Sequence, residues 1–361
     1  MPESLPLLPL PNEEALETRA VLKQVANAHR YLAELKGVSA TIPNEIILIN
    51  TLTLQEAKDS SAVENIITTQ DELFKAGLHS DGPLNPASKE VQDYATALKQ
   101  GFGLVRPNRV IRLQDILQIQ GTLEKNRAGL RKVPGTGLIN EATGETVYTP
   151  PQDAREVEAL MHNLVDYIND AQPSDLDPLI RMALIHHQFE SIHPFYDGNG
   201  RTGRIINILY LVAQGLLDIP VLYLSRYFIR NKADYYRQLQ AVRETGDWEP
   251  WLLYMLEGVV QTAQQTIQLI GDIKNLMQRY KHGIRDQLPK IYSQELINNL
   301  FSHPYTKIEF VINDLQVSRI TASKYLRQLV DAGYLMKARI GRSNYYINHP
   351  LFELLSAAER H

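Results

Sequence analysis

The chain has 361 residues, a length typical of about two or three domains, and 44% of them are hydrophobic, which is enough to form their cores. Its 37 basic and 41 acidic residues leave a net charge of -4, which excludes a global field directing it to nucleic acid or a membrane. The absence of cysteine excludes disulfides, thiol catalysis and cysteine-bound zinc, and favours a reducing, cytoplasmic location.

Helical spacing of apolar residues dominates the N-terminal third. The opening stretch MPESLPLLPLPNEEAL is broken by prolines and lacks a basic start, so it predicts an extended arm rather than a signal peptide. Helices are predicted over 13–36, 44–76 and about 89–99, with GVSATIP and GLHSDGPLNPAS between them. No apolar run reaches the roughly 20 residues of a membrane span. We assign residues 1–100 to a helical N-terminal region.

The middle of the chain predicts further helices around two glycine-containing loops. The predicted elements are a helix over about 108–129, a hairpin over 138–150, a helix over 177–190 and helices from Ile205 towards residue 290. Thr143 and Gly144 lie at the hairpin turn, and Asp153 is predicted to cap the next helix. The second loop is the segment HPFYDGNGRTGR, from His193 to Arg204.

The glycines of this segment predict an anion site. Gly198, Asn199 and Gly200 permit positive φ angles, which let backbone N–H groups converge, and they open a helix. A helix N-terminus carries roughly half a positive charge, so the loop is suited to a phosphate. Arg201 and Arg204 add to that charge.

The same helix predicts a polar stripe across a buried face. Arg201, Arg204 and Asn207 recur every three residues among apolar neighbours. Buried guanidinium groups require anions, and polyphosphate would supply them.

Two more side chains of the segment suit a reaction on such a nucleotide. Asp197 is predicted to hold magnesium through one carboxylate while phosphates supply other ligands. His193, with an ordinary pKa near 6.5, suits proton removal from a hydroxyl. Phe195 is expected to anchor the loop in the core.

Simpler interpretations apply to each element alone. A glycine-rich turn between helices is common. His186 and His187 suggest a metal site with His193, but adjacent helical residues point about 100° apart, which favours hydrogen-bonding roles. A P-loop is excluded because GxxxxGK[ST] is absent.

The segment HPFYDGNGRTGR resembles the Fic motif HxFx[D/E]GNGRxxR at every defined position. The resemblance implies a mainly α fold with a helical Fic catalytic domain over 101–280. It implies transfer of AMP from ATP to a Tyr, Thr or Ser hydroxyl, with His193 as the base, Asp197 on Mg²⁺, Arg201 at the β-phosphate and Arg204 at the γ-phosphate. The implied ATP-binding residues are Asp197, Gly198, Asn199, Gly200, Arg201, Thr202, Gly203, Arg204, Tyr235 and Tyr236.

Two further segments fit the family pattern while keeping ordinary alternatives. Tyr235 and Tyr236 in KADYYRQL match the adenine pocket, yet helix tyrosines are equally common in cores. The hairpin over 138–150 matches the flap that holds a target segment by strand addition; its alternative is an ordinary surface hairpin.

The stretch DSSAVENII resembles the family's inhibitory motif [S/T]xxxE[G/N] through Ser60, Glu64 and Asn65. It implies that Glu64 pairs with Arg204, so that ATP enters only in a non-productive pose, with inhibitor and enzyme in one chain and often a homodimer. A solvated helix face is the alternative, and Glu64 orienting water for the reverse hydrolysis is another.

Residues 281–361 predict three helices and a hairpin, with Ser318 as a cap and Gly333 as a stop, resembling a winged helix-turn-helix. Between 281 and 349 there are ten Lys or Arg and five Asp or Glu, a local excess of positive charge. The predicted DNA-facing residues are Arg319, Thr321, Ser323, Lys324, Arg327, Gln328, Arg339 and Arg342. A protein-docking or dimerising module is the alternative.

Two functions from different classes therefore remain. One is an AMP-transferring enzyme with an accessory domain. The other is a DNA-binding regulator that uses the Fic core as a nucleotide sensor. The enzyme is favoured because a sensor needs only binding, whereas the base, the metal ligand and both arginines are all present.

Overall fold

A computed structural model describes residues 5–76, 85–139, 144–170, 174–340 and 343–357. The fold is mainly α, as predicted, with two small antiparallel sheets. After a 3₁₀ turn at Glu13–Leu16, the helices of the first two thirds are α1 Arg19–Ser39, α2 Glu45–Val63, α3 Gln70–Ala76, α4 Pro86–Val105, α5 Leu113–Leu123, α6 Ala154–Ile168, α7 Pro178–Ile192, α8 Asn199–Ala213, α9 Leu224–Arg230, α10 Lys232–Thr245 and α11 Glu249–Gln287. The hairpin strands are β1 Leu138–Ile139 and β2 Thr146–Tyr148, and the C-terminal elements are α12 Gln294–Ser302, β3 Tyr305–Thr306, α13 Ile308–Leu315, α14 Arg319–Asp331, β4 Met336–Ile340, β5 Ser343–Ile347 and α15 His349–Ala357.

Local capping residues explain why several helices begin or end at residues other than the predicted ones. The helix predicted from residue 13 begins at Arg19, because the Thr18 side chain accepts the N–H of Val21. The one predicted over 89–99 begins at Pro86, where Asn85 caps it. The one predicted over 108–129 ends at Leu123, and Lys125 follows with φ 52°.

The predicted helix over 44–76 was wrong as a single element. It ends at Val63, Glu64 is its C-cap, and Asn65 has φ 62° before the chain starts α3. Asparagine tolerates the left-handed conformation that commonly stops a helix. This break places Glu64 at a helix end, where its side chain leaves the helix surface.

The core is organised around α7 and α8. Every residue of α7 from Leu179 to Ile192 is buried, and α8 packs beside it. The 39-residue α11 lies along α1 and extends to the C-terminal domain, where the Tyr280 hydroxyl donates to the carbonyl of Tyr334 at 2.9 Å. The segment between α7 and α8 is thus held on a rigid, fully packed support.

We expect Gly101→Leu to destabilise the fold by about 1–3 kcal/mol, the usual cost of overpacking a filled core. Gly101 lies on α4 where it meets α5 and α8, and a Cβ there would lie 2.7 Å from Leu209 Cδ1 and 2.9 Å from Ile119 Cδ1. Urea unfolding measures the change in free energy. The matched control is Gly103→Leu on the same helix, because a Cβ at Gly103 meets nothing within 4 Å. Equal effects of the two substitutions would contradict this packing.

The C-terminal elements appear where the sequence predicts three helices and a hairpin. Ser318 accepts the N–H of Thr321 at the start of α14, and Gly333 follows that helix with φ 80°. Strand order is β3–β5–β4, and both β3 and α15 were missed. The domain docks on the N-terminal region, where Gln55 Nε2 donates to the carbonyl of Leu355 at 2.7 Å.

Among the described residues, no helix has both the length and the apolar character needed to cross a bilayer.

Candidate active site

The loop between α7 and α8 has a backbone held by its own side chains. His193 ends α7 in the left-handed conformation, with φ 49° and ψ 58°. Asn199 closes the loop, because its Oδ1 accepts the N–H of Phe195 at 2.8 Å and its Nδ2 donates to the Phe195 carbonyl at 2.9 Å. Phe195 is fully buried, as predicted. This fixes the direction in which the histidine leaves the helix.

The glycines at the start of α8 serve close packing as well as the predicted turn, and the anion site stays a prediction. Only Gly198 has a positive φ, of 77°, since Asn199 and Gly200 already belong to α8. Gly200 is required by close approach instead: a Cβ there would lie 2.3 Å from Glu64 Oε1. Gly203 likewise admits Glu190, whose Oε1 would lie 2.8 Å from an added Cβ. The absence of side chains therefore leaves the start of α8 open to carboxylates.

Arg204 is buried and held by the end of α2. Its Nε donates to Ser60 Oγ at 2.8 Å, and its Nη2 donates to the Ser60 carbonyl at 3.0 Å and to Glu64 Oε1 at 2.7 Å. Burial opposes the charge, but the Glu64 carboxylate raises the pKa of Arg204 above its ordinary value. The structure thus brings Ser60, Glu64 and Arg204 together across 140 residues of sequence.

Arg201 also has carboxylate partners, which sequence reasoning missed. Its Nη1 donates to Glu90 Oε2 at 3.0 Å and its Nη2 to Glu124 Oε1 at 2.9 Å. The Glu124 carboxylate also lies against Gly198, since Oε1 would be 2.3 Å from a Cβ at that position. Nothing in the sequence marked Glu124, because the pairing depends on how α5 packs on α8.

His193 lies beside two guanidinium groups. Burial, together with the charges of Arg131 and Arg243, lowers the pKa of His193 to about 4, while Glu64 acts in the opposite direction. Its Nδ1 is buried without a hydrogen-bond partner among the described residues. The imidazole is therefore neutral at pH 7 and able to accept a proton.

Asp197 is exposed next to the glycines. Its Oδ1 accepts the N–H of Gly198 at 2.7 Å, while its Oδ2 accepts no hydrogen bond within the described residues. The described residues contain no cluster of three metal-ligating side chains. A single free carboxylate oxygen fits Mg²⁺, which keeps several waters and takes its remaining ligands from phosphates.

The two tyrosines occupy different environments. Tyr235 is 1% exposed, and its hydroxyl lies 2.8 Å from His186 Nε2 within an aromatic cluster, a placement that favours the core interpretation. Tyr236 is 45% exposed. An adenine contact by either ring stays a prediction. Thr202 is fully buried, and its hydroxyl has no partner among the described residues.

The adjacent histidines His186 and His187 each have a neighbour of their own within hydrogen-bonding distance. His186 Nδ1 lies 3.0 Å from Asn207 Nδ2, and His187 Nε2 lies 3.2 Å from the Leu239 carbonyl. Burial lowers the pKa of each of these two histidines to about 3. Both are neutral core residues, as the hydrogen-bonding interpretation predicts.

The hairpin lies next to the histidine. Strand β1 pairs antiparallel with β2, and the Tyr148 hydroxyl at the end of β2 donates to the Ser191 carbonyl at 3.0 Å. Ile139 and Val147 are exposed. The predicted turn residue Thr143 lies outside the described residues.

The basic residues predicted to face DNA are partly engaged. Arg319 Nη1 donates to Glu309 Oε1 at 3.1 Å, whereas Lys324, Arg327 and Arg339 are exposed. Thr321, Ser323 and Gln328 are half-buried on α14. Arg342 lies outside the described residues. The neighbouring Ile320 is 83% exposed, so this face is not purely basic.

Three family models match the chain. Residues 22–103 match the model described as Fic/DOC family N-terminal, and residues 105–211 match the Fic/DOC family model. The chain belongs to the Fic/DOC family. Residues 276–351 of this Fic protein match the C-terminal domain of the type described as protein adenylyltransferase SoFic-like.

Curated relatives match between a third and two fifths of the chain. Protein adenylyltransferase fic-1 of Caenorhabditis elegans is 31% identical over 137 residues, which are 35% of this chain and 25% of that protein. Protein adenylyltransferase Fic of Drosophila willistoni is 26% identical over 149 residues, 40% of this chain and 28% of that protein. The chain thus spans about a quarter of the length of these relatives.

Solved structures show the same fold over more of the chain. A Fic family protein from Desulfovibrio desulfuricans G20 matches with a TM-score of 0.57 at 19% identity, over 91% of this chain and 96% of that chain. Fic-1 (residues 134–508) from C. elegans matches with a TM-score of 0.53 at 22% identity, over 72% of this chain and 78% of that chain.

Proposed function

We propose that this Fic protein is a protein adenylyltransferase that moves AMP from ATP to a Tyr, Thr or Ser hydroxyl of a target protein or of itself. The observation that carries the proposal is His193, a half-buried imidazole whose pKa is lowered to about 4 and which is held at the end of α7 beside the start of α8. The relatives named protein adenylyltransferase support the same chemistry.

The residues at the start of α8 are proposed to bind the triphosphate, and His193 is proposed to transfer the proton. The N–H groups around Gly198 to Gly200 would bind phosphate oxygens, with Arg201 at the β-phosphate and Arg204 at the γ-phosphate. The target hydroxyl oxygen bonds to the α-phosphorus, the bond to the bridging oxygen breaks, and pyrophosphate leaves. His193 takes the hydroxyl proton. Positioning supplies most of the acceleration in such transfers.

Asp197 would hold Mg²⁺ through its free carboxylate oxygen. The ion, when bound, neutralises charge on the phosphates.

We propose that the chain as described is in an inhibited state. Glu64 occupies Arg204, the group proposed for the γ-phosphate. Arg204 Nη2 already donates to Glu64, so the γ-phosphate can bind Arg204 productively only in place of Glu64. A buried arginine without an anionic partner is costly, so the phosphate has to take over that pairing. The alternative in which Glu64 also orients water for removal of AMP uses the same position and stays open.

Incubation of Glu64→Gly with ATP and Mg²⁺, followed by intact-mass measurement and peptide mapping, tests the proposed function. A mass increase of one AMP on a hydroxyl side chain supports it. If wild type and Glu64→Gly both fail to label themselves or proteins of a cell extract, while binding to DNA falls as salt rises, the nucleotide-sensing regulator is the better description.

We expect AMP transfer by Glu64→Gly to stay constant from pH 8 down to about pH 5. The base must be neutral, and the pKa of His193 is lowered to about 4, so protonation removes activity only near that pH. Loss of Glu64, whose charge raises this pKa, moves the acidic limb lower still. Initial rates at fixed ATP, with circular dichroism to verify folding, give the profile. A midpoint between pH 6 and 7 would contradict the proposed environment of the base.

Homodimerisation, DNA binding through residues 281–349 and a cytoplasmic location stay proposals. The exposed Lys324, Arg327 and Arg339 support the second of them, since exposed cations suit contacts with phosphates.

A further inference from the structure

Arg131 is a buried residue that the mechanism above does not use. It follows α5 in the loop that leads to the hairpin and is 1% exposed, among the largest fully buried side chains of the described chain. Its side-chain hydrogen bonds within the described residues all go to carbonyl oxygens. A buried guanidinium without a carboxylate at hydrogen-bonding distance is costly, so its position needs a compensating reason.

The carbonyls that Arg131 binds are those around the base. Its Nε donates to the His193 carbonyl at 2.8 Å, and its Nη2 donates to the Ile192 carbonyl at 3.2 Å. Its backbone N–H donates to the Pro194 carbonyl at 2.9 Å. One residue therefore contacts three consecutive peptide carbonyls centred on His193.

The end of α7 explains why a cation is stable there. Ile192 is the last helical residue, so its carbonyl has no partner within the helix and carries part of the negative end of the helix dipole. His193 follows in the left-handed conformation that glycine usually occupies. Arg131 stabilises this backbone while leaving the imidazole available.

Arg131 also joins the base to the hairpin. Its Nη2 donates to the carbonyl of Pro151, which follows β2. A second guanidinium completes the support, because Arg243 on α10 donates through Nε to Ser191 Oγ at 3.0 Å and lies 4.0 Å from the centre of the Tyr148 ring. The base and the proposed target-binding hairpin thus share one rigid connection.

We propose that Arg131 is a positioning residue for the base: it holds the turn at His193 and ties that turn to the hairpin. Its kinetic consequence rests on the proposed function, whereas its structural consequence does not. The groups that face the imidazole are Arg131 itself, Arg243, Glu64 and the backbone of Glu190.

Two variants separate the charge of Arg131 from its hydrogen bonds. Arg131→Lys keeps the charge but cannot reach several carbonyls at once, and Arg131→Gln removes the charge. In the Glu64→Gly background we expect Arg131→Lys to lower kcat by about 10- to 100-fold with KM for ATP nearly unchanged, because small displacements of a reacting group cost this much. Arg131→Gln should also move the acidic limb of the pH profile upward. Arg155→Gln, at an exposed arginine of α6, is the matched control.

A second measurement decides the inference even if no transfer occurs. Nitrogen NMR of the imidazoles, with the His193 signal assigned through His193→Ala, reports its titration without nucleotide. We expect His193 to titrate at higher pH in Arg131→Gln than in wild type, and to show a changed chemical shift in Arg131→Lys while thermal melting shows both variants folded. An unchanged His193 signal in both folded variants would overturn the proposal, as would an unchanged kcat. An absence of transfer in Glu64→Gly alone would instead count against the proposed function.

Discussion

Replacing Glu64 with glycine is expected to raise the rate of AMP transfer by about 10- to 100-fold, the range of a typical coupling free energy between two sites. Glu64 Oε1 lies 2.7 Å from Arg204 Nη2 and would lie 2.3 Å from a Cβ added at Gly200. Removing the carboxylate frees both the cation and the space at the helix start. Incorporation of label from ATP carrying radioactive α-phosphate measures the rate.

Two companion variants make this result specific. Glu64→Gln keeps the volume and removes the charge, so a partial rise would show how much of the inhibition is electrostatic. Glu45→Gly removes the ion pair with Arg106 at the opposite end of α2, and should leave transfer unchanged. An unchanged or lower rate in Glu64→Gly would remove the inhibitory role.

Replacing His193 with alanine in the Glu64→Gly background is expected to lower transfer by roughly 10²- to 10⁴-fold, the usual contribution of a general base. The imidazole is neutral and half-buried, and the loop between α7 and α8 holds no other histidine. ATP affinity should change little, because the residues proposed for the phosphates are on α8. Single-turnover labelling at saturating ATP isolates the chemical step.

The backbone at His193 requires a second variant. Alanine is disfavoured at φ 49°, so some loss could come from strain, whereas asparagine tolerates this conformation. His193→Asn should therefore match His193→Ala in transfer but exceed it in thermal stability. His162→Ala, at an exposed histidine of α6, should retain full activity. Transfer by His193→Asn at the rate of its parent would show that another group accepts the proton.

Local signals in the sequence predicted much of the fold. The cap at Asp153, whose side chain accepts the N–H groups of Arg155 and Glu156, and the cap at Ser318 are both present. The helical periodicity located α7 and α8 and the three C-terminal helices. Such features depend on residues within a few positions of each other, which is why one sequence suffices to find them.

The motif also placed the base, the glycines and the two arginines on one turn and one helix face. The proximity of Glu64 to Arg204 came from resemblance to a known motif rather than from spacing. Spacing alone predicted a helix running through Glu64, whereas Asn65 ends it there. The sequence therefore supplied the participants but not the local geometry that lets them meet.

Only the tertiary structure decided which side chains surround the motif. Arg201 meets Glu124 across 77 residues of sequence, and Arg131 meets His193 across 62. Tyr235 turned inward to His186 because α10 packs on the core, while Tyr236 remained at the surface. Contacts of this kind arise from helix packing, which places residues from distant segments together without leaving a periodic or local pattern in the chain. The sequence by itself determined the mainly helical class and a motif suited to phosphate and proton transfer; packing decided which charges occupy that motif and what holds its histidine in place.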